Sequence, residues 1–171
     1  MQYVQSLIRE VPDFPKKGIL FYDITPVLAE PKAFSMLIGY FKDRYKNKKI
    51  TKVVGIESRG FIFGGALAES LGAGFIPMRK PGKLPYKKIA KEYTLEYGTN
   101  TIEMHEDALT SHDRVVLVDD LIATGGTAQA AASLIEEQGA KLIECAFVIE
   151  LNFLKGRDKL FPHEVHSIIK Y

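Results

Sequence analysis

Residues 115–127 hold two adjacent carboxylates and a short loop of small residues, and they are the most chemically informative stretch of the chain. The apolar run Val115–Val118 leads into Asp119 and Asp120, and the loop that follows is Ala123-Thr124-Gly125-Gly126-Thr127. Small residues let backbone N–H groups converge, and a helix N-terminus with threonine hydroxyls adds donors, so this loop is typical of a monophosphate cradle. The carboxylates lie one phosphate-to-ribose distance away and could accept hydrogen bonds from the vicinal hydroxyls of a ribose.

A second feature that could do chemistry is a basic segment without acids at residues 79–91. Its six cations are Arg79, Lys80, Lys83, Lys87, Lys88 and Lys91. On charge alone the segment is either a solvated basic loop or a surface that meets a multiply charged anion. Pro81, Gly82 and Pro85 lie within it, and a loop of about a dozen residues between two strands is typical of a lid.

Other types of functional site fit the sequence poorly. Neither the P-loop pattern G-x-x-x-x-G-K-[ST] nor the dinucleotide fingerprint G-x-G-x-x-G occurs. Asp119 and Asp120 could instead be turn or capping acids, but two acids at the end of a buried strand are costly without a ligand or partner. His163 and His166 lie three apart in a strand-like segment, so their side chains are predicted to point to opposite faces rather than to share a metal.

Strands alternating with helices must position these residues. The apolar run Val115–Val118 is typical of a strand buried on both faces of a parallel sheet. Predicted strands lie at 52–57, 73–78, 115–118 and 142–151, and predicted helices lie at 33–45, 60–71 and 127–138, with Gly72 and Gly139 ending the last two. This alternation predicts an α/β fold with a mostly parallel central sheet flanked by helices. Asp119 and Asp120 then end a strand at the sheet edge where ligands bind.

Alternating apolar residues at 92–104 predict a hairpin whose turn is Gly98-Thr99-Asn100. Its first strand would follow the basic segment directly. Residues 79–104 are therefore predicted to form one lid loop with its hairpin.

Composition excludes several classes of protein. The chain has 171 residues, 46% hydrophobic and 26% charged, which predicts one globular domain over residues 1–171. A net charge of +2 is too small for a dedicated nucleic-acid binder. The charged, proline-containing first residues predict no signal peptide, and no apolar run is long enough for a membrane span. Cys145, the single cysteine, excludes an internal disulfide and is predicted to be an inert core thiol in an intracellular, reducing compartment.

The stretch from Val115 to Thr127 resembles the phosphoribosyl-pyrophosphate (PRPP) signature of the type I phosphoribosyltransferases. Four accessory segments resemble the adenine phosphoribosyltransferase family in particular, over residues 7–160. They are Phe21-Tyr22-Asp23-Ile24-Thr25-Pro26, Gly55-Ile56-Glu57-Ser58-Arg59-Gly60-Phe61, Arg79-Lys80-Pro81-Gly82-Lys83-Leu84-Pro85 and Tyr93-Thr94-Leu95-Glu96-Tyr97-Gly98. The resemblance implies the type I phosphoribosyltransferase fold and the conversion of adenine and PRPP to AMP and pyrophosphate.

The resemblance also implies a role for each matching residue. Asp119 and Asp120 would face the ribose hydroxyls, and the loop of Ala123, Thr124, Gly125, Gly126 and Thr127 would bind the 5′-phosphate. Glu96 would be the catalytic residue that handles the proton at N7 of adenine. Pyrophosphate would be bound by Ser58, Arg59, Arg79, Lys80 and Lys83, and adenine by Leu20, Phe21, Tyr22 and Leu151.

Four further expectations come from the same resemblance. Mg²⁺ would be bound through PRPP rather than by direct protein ligands, and the enzyme would be a cytoplasmic homodimer. Residues 1–30 would form a small N-terminal hood over the base. The Glu57–Ser58 peptide would be cis, because the pyrophosphate loop of related enzymes uses that geometry to aim its amides.

Two other functions remain open on the sequence. A regulator could bind PRPP with this fold and do no chemistry, although such proteins usually add a nucleic-acid-binding domain, and no helix-turn-helix precedes the fold here. Alternatively, the same chemistry could act on a 6-oxopurine such as hypoxanthine or guanine.

Overall fold

A computed structural model describes residues 1–94 and 98–171 of the chain. The chain forms two compact units, Met1–Arg44 and Tyr45–Tyr171. Within the described residues, no helix combines the length and apolarity that a membrane crossing requires. The expectation of one domain over residues 1–171 stays a prediction.

The first unit is built on a short antiparallel pair of strands followed by helices. Its elements are α1 (Gln2–Ser6), β1 (Arg9–Pro12), β2 (Leu20–Asp23), α2 (Thr25–Ala29) and most of α3 (Pro31–Tyr45). Val11 of β1 lies opposite Phe21 of β2, and the ring of Phe21 packs edge-on against Phe14 at 5.1 Å between centroids. The predicted helix at 33–45 is confirmed, and it begins two residues earlier because Pro31 suits a first helical turn.

The second unit is built on a parallel sheet of five strands in the order β4-β3-β7-β8-β9. The strands are β3 (Lys52–Ile56), β4 (Gly74–Met78), β7 (Arg114–Ile122), β8 (Lys141–Glu150) and β9 (Val165–Lys170). The main helices are α4 (Arg59–Leu71), between β3 and β4, and α5 (Gly126–Glu137), between β7 and β8. The predicted fold class is confirmed.

The strand order places a topological switch point between β3 and β7. From β3 the chain crosses to β4 on one side, whereas β7, β8 and β9 extend the sheet on the other side. Right-handed crossovers in opposite directions carry their helices to opposite faces of a sheet. A crevice therefore opens beyond the carboxyl ends of β3 and β7, where ligands bind in open α/β sheets.

The core lies along β7 and β8, which are buried on both faces as predicted. Val115–Val118 and Cys145–Ile149 are almost completely buried. Burial, with the charges of Glu144 and Glu136, raises the pKa of the Cys145 thiol to about 12, which confirms an inert core thiol. Gly72 and Gly139 adopt positive φ angles of 66° and 77° just after α4 and α5, as predicted for helix ends.

Three predicted boundaries are wrong. The strand β7 does not end at Val118 but continues to Ile122. Asp119 and Asp120 therefore lie within the strand and not in the loop after it. Thr99 and Asn100 are not a turn, because they belong to β6 (Thr99–His105) and lie opposite Thr94 and Tyr93 of β5 (Lys88–Thr94). Since β5 begins at Lys88, the loop after β4 spans only 79–87, and the predicted lid includes part of a paired strand.

Candidate active site

A cleft of about 480 Å³ lies at the carboxyl ends of β3 and β7. That volume is in the usual range for small-molecule sites. Its lining is formed by Glu57, Ser58, Arg59, Lys80, Lys83, Asp119, Asp120 and Leu121. The structure therefore brings together the predicted ribose carboxylates and four of the five residues predicted to bind pyrophosphate.

Asp119 and Asp120 differ in their surroundings because successive residues of a strand face opposite ways. Asp120 is buried, with 5% of its surface exposed, and it accepts a short hydrogen bond from Nε of Arg59. Asp119 faces the cleft and accepts a hydrogen bond from the Asp120 backbone N–H at 2.8 Å. Burial and the charge of Asp120 raise the pKa of Asp119 well above its ordinary value.

The segment Ser58–Gly60 contacts β7 closely. Arg59 begins α4 and makes the ion pair with Asp120. A Cβ on Gly60 would lie 2.8 Å from Oδ1 of Asp119 and 2.9 Å from the Val118 carbonyl oxygen. Only glycine therefore lets this loop pack against the Asp119 carboxylate. The Glu57–Ser58 peptide at the start of the loop is cis, as expected from the family resemblance.

Glu57 accepts hydrogen bonds from three residues of the loop after β4. Lys83 Nζ donates to its Oε1 at 2.5 Å, and the Lys80 backbone N–H donates to its Oε2 at 3.1 Å. Arg79 donates from Nε at 3.3 Å and from Nη2 at 3.4 Å. Burial raises the pKa of Glu57, but these hydrogen bonds outweigh it and lower the pKa to about 2.

Arg79 is held from a second direction as well. Its guanidinium carbon lies 5.9 Å from the centroid of the Phe61 ring in α4, a distance that favours a cation–π contact. Phe61 is only partly buried and packs against both Arg79 and Phe75.

The basic segment is not free of acids in three dimensions. Lys88 lies 3.2 Å from Glu103, and Lys91 lies 2.5 Å from Glu137. The two interpretations of the basic segment therefore apply to different parts of it. Lys80 and Lys83 line the cleft, whereas Lys88 and Lys91 of β5 pair with acids of β6 and α5.

The phosphate loop lines a smaller pocket of about 110 Å³ that shares Asp119 and Leu121 with the cleft. All five of its predicted residues, Ala123 to Thr127, line this pocket. Gly125 is the N-cap of α5 with a φ of 78°, a conformation that favours glycine. The N-terminus of α5 therefore points its unpaired N–H groups at the pocket, which is the arrangement that binds phosphate.

The predicted adenine-binding residues fall in both units. Leu20, Phe21 and Tyr22 form β2 in the first unit, and Leu20 is 41% exposed. In the second unit, Leu151 follows β8, and its N–H donates to the Ile122 carbonyl at 3.0 Å. Glu96, the predicted catalytic residue, lies outside the described residues.

Carboxylates are the possible metal ligands in the lining of the cleft. Within residues 1–94 and 98–171, no group of three or more His, Cys, Asp or Glu side chains could hold one. Asp120 is paired with Arg59, and Glu57 is paired with Lys83. The carboxylate oxygens are of the type that Mg²⁺ prefers.

Comparisons with known proteins agree with this geometry. Residues 24–169 match the family model of the phosphoribosyl transferase domain. Over 171 residues and the full length of both chains, the sequence is 54% identical to the adenine phosphoribosyltransferase of Syntrophotalea carbinolica. The chain belongs to the adenine phosphoribosyltransferase family.

Solved structures of this family have the same fold. The crystal structure of the Thermoanaerobacter pseudethanolicus member superposes with a TM-score of 0.96 at 49% identity, covering 99% of each chain. The Saccharomyces cerevisiae member, solved with adenine and an imino-altritol bisphosphate, superposes with a TM-score of 0.93 at 43% identity, covering 98% of this chain and 97% of the other.

Sequence reasoning missed three residues that shape the site. Glu57 is an acid that directly follows a buried parallel strand, so the argument that singled out Asp119 applies to it equally. Gly60 and Gly156 pack against site loops, Gly60 against Asp119 and Gly156 against Ala123 and Gly125. No local signal marks either glycine, because each is required by a residue distant in sequence.

Proposed function

We propose that the chain transfers the 5-phosphoribosyl group of PRPP to adenine, giving AMP and pyrophosphate. The observation that supports this most is the shared wall between the cleft and the phosphate pocket, which places Asp119 between a helix N-terminus and a group of cations. PRPP has the same order of groups: a 5′-phosphate, a ribose with vicinal hydroxyls, and a pyrophosphate on C1′.

The ribose 5-phosphate part of PRPP binds to β7 and the loop after it. Backbone N–H groups and hydroxyls of residues 123–127 hold the 5′-phosphate at the N-terminus of α5. Asp119 and Asp120 accept hydrogen bonds from the ribose hydroxyls. Both carboxylates lie on one rigid strand in the sheet, so the C1′ atom is held in a fixed position relative to the cleft.

The pyrophosphate part lies in the cleft among Ser58, Arg59, Arg79, Lys80 and Lys83. As the C1′–O bond breaks, negative charge grows on pyrophosphate, and preorganised cations stabilise that charge in the transition state. When bound through PRPP, Mg²⁺ would supply further positive charge to the same group. Closure of the 79–87 loop over the site excludes water, whose attack on the cationic sugar is the competing reaction.

Adenine attacks C1′ through N9, and the N9–C1′ bond forms as the C1′–O bond breaks. The base loses a proton at N7, which Glu96 accepts. Leu20 and Leu151 stack on the faces of the base, and the backbone around Leu20 and Tyr22 reads its exocyclic amine edge. The family resemblance supports these roles.

The same resemblance supports a homodimer in the cytoplasm. A single buried thiol, Cys145, suits a reducing compartment. Sedimentation of the purified protein tests the oligomeric state, with a mass of twice 19.1 kDa as the expected result.

The experiment that tests the function is an assay with each labelled base, PRPP and Mg²⁺. We expect adenine to give AMP and one equivalent of pyrophosphate. PRPP binding without conversion of any base would instead indicate a regulator of this fold. Conversion of hypoxanthine or guanine in preference to adenine would keep the chemistry and overturn the assignment of the base.

A further inference from the structure

Glu150, the last residue of β8, makes an ion pair outside the cleft that the proposed reaction does not use. Arg157 donates to both carboxylate oxygens, from Nε at 2.7 Å and from Nη2 at 2.7 Å, and Ser167 Oγ donates to Oε2 at 2.6 Å. The Glu150 side chain is 4% exposed and that of Arg157 is 38% exposed. A two-bond contact of this kind fixes both the distance and the orientation of the arginine.

Arg157 directly follows a glycine that contacts the phosphate loop. A Cβ on Gly156 would lie 2.9 Å from the Gly125 backbone nitrogen and would overlap the Ala123 carbonyl oxygen. Reciprocally, a Cβ on Gly125 would overlap the carbonyl oxygen of Gly156. The two backbones therefore touch directly, with no side chain between them.

The chain around Gly156 lies between two buried leucines, Leu151 and Leu160. Lys155, just before it, has a φ of 51°, a left-handed conformation that is unfavourable for a lysine. The exposed side chains at 152, 153, 155, 158 and 159 do not anchor the segment. The Glu150–Arg157 ion pair is the side-chain contact at the residue next to Gly156.

We propose that Glu150 and Arg157 are positioning residues that hold Gly156 against residues 123–125 and thereby set the affinity for ligands with a 5′-phosphate. This rests on the proposed function, which assigns the 5′-phosphate to that loop. The physical reason is that converging N–H groups bind phosphate only when their positions are held to a fraction of an ångström. The proposed pyrophosphate residues, at 58–59 and 79–83, are not among the atoms nearest to Gly156, which belong to Ala123 and Gly125.

The test compares AMP with magnesium pyrophosphate as ligands of Arg157→Ala by calorimetry. We expect AMP affinity to fall by about tenfold or more, since small misplacements of binding groups have effects of this size. Pyrophosphate affinity should change by less than about twofold, and kcat at saturating PRPP by less than about threefold, while KM for PRPP rises with the loss of AMP affinity. Arg157→Lys, which keeps the charge and one bond, should be intermediate.

Arg114→Ala is the matched control. Arg114 is a partly exposed arginine at the opposite end of β7, and its Nε donates to the Lys48 carbonyl at 3.0 Å. Its loss removes an arginine from the same unit without touching the phosphate loop. The thermal midpoint should fall, and the ratio of AMP affinity to pyrophosphate affinity should stay at the wild-type value.

A second variant keeps the proposal testable if Arg157→Ala does not fold. Gly156→Ala retains the ion pair but pushes a methyl group into residues 123–125, so it should weaken AMP and spare pyrophosphate. Equal losses of both ligands, or unchanged AMP affinity in a folded variant, would overturn the proposal. Failure of the wild-type protein to bind AMP at all would count against the proposed function instead.

Discussion

Lys83 Nζ lies 2.5 Å from Oε1 of Glu57, so a cation assigned to pyrophosphate is held by a carboxylate of its own chain. Arg79 and the Lys80 N–H bind the same carboxylate. One partly buried acid therefore holds the loop after β4 against the carboxyl end of β3. It keeps these three donors beside the cleft, so the positive charges of Arg79 and Lys83 are already arranged before pyrophosphate binds.

Glu57→Gln should destabilise the protein by roughly 1–2 kcal/mol at pH 7. This lies at the lower end of the range for charged hydrogen bonds, because Lys83 is 46% exposed. The pKa of Glu57 is lowered to about 2 from 4.5. Its stabilising effect is therefore complete above pH 4.5 and is lost as pH falls towards 2. Urea unfolding at several pH values measures the difference.

Glu106→Gln is the control for this change. Glu106 also faces a cation of the same loop, Lys87, but at 3.9 Å with both side chains exposed. Exposed pairs contribute little, so the expected effect is below about 0.5 kcal/mol at every pH. A Glu57→Gln difference that persists unchanged at pH 3 would contradict the assignment of the effect to the Glu57 charge.

Asp119→Asn should stabilise the protein at neutral pH by about 1 kcal/mol or more while weakening PRPP binding at least about tenfold. The pKa of Asp119 is raised above its ordinary value of 3.8 by burial and by Asp120. The folded state therefore gains stability from the protonated carboxyl at low pH and loses it as pH rises through the raised pKa. Asparagine has no such loss, and its side-chain oxygen can still accept from the Asp120 N–H.

Asp120→Asn is the matched comparison, because Asp120 has Arg59 as its partner. It should weaken PRPP binding more than adenine binding but should give no gain in stability at pH 7. Thermal unfolding from pH 4 to pH 8, with PRPP titrations, separates the two carboxylates. Equal stability of Asp119→Asn and the wild type across this range would show that Asp119 is not an unfavourably buried charge.

The sequence was sufficient to predict four of the five strands of the parallel sheet, the helices between them and the phosphate loop. These features depend on local signals: an apolar run such as Val115–Val118, a glycine after a helix, and a small-residue loop at a helix start. The end of β7 was misplaced because charged residues normally indicate that a buried strand has ended, whereas Asp119 and Asp120 continue the pleat to Ile122.

Contacts distant in sequence could not be predicted. The pairing of Glu57 with Lys83 spans 26 residues, and the contact of Gly156 with Gly125 depends on how β7, β8 and the following loop are placed. The basic segment showed the same limit. Its cations have no acidic neighbours within the segment. Their partners, Glu57, Glu103 and Glu137, belong to other elements.

Trypsin should cut the protein first at residues 79–87 if this loop is the lid. Lys83 and Lys87 have side chains that are 46% and 73% exposed, whereas Lys88 and Lys91 belong to a paired strand. PRPP with Mg²⁺ should slow this cleavage, since closure orders the loop. Mass spectrometry of the first fragments identifies the site. The same rate with and without ligand would contradict the lid.

Glu96→Gln should lower kcat by roughly 10²–10⁴, the usual range for a general acid or base. AMP affinity should stay within about threefold of the wild type, because the substitution keeps the size of the side chain and changes its proton chemistry. Glu92→Gln, at a neighbouring acid of β5, is the control and should leave kcat unchanged. Wild-type turnover in Glu96→Gln would remove Glu96 from the mechanism.

The choice of base depends on one edge of the purine. Adenine presents an amine donor at C6 and an acceptor at N1, whereas hypoxanthine presents an acceptor at C6 and a donor at N1. A backbone carbonyl and N–H around Leu20–Tyr22 that match adenine would meet hypoxanthine acceptor to acceptor and donor to donor. Sites built on such hydrogen bonds discriminate by roughly 10⁴ or more, because the wrong ligand leaves buried polar groups unpaired.

The ratio of kcat/KM for adenine to kcat/KM for hypoxanthine and for guanine, measured with saturating PRPP and Mg²⁺, tests the proposed function most directly. We expect adenine to be favoured by at least about a thousandfold, since only adenine satisfies both hydrogen bonds of the proposed pocket. A ratio near unity, or a preference for either 6-oxopurine, would contradict the account.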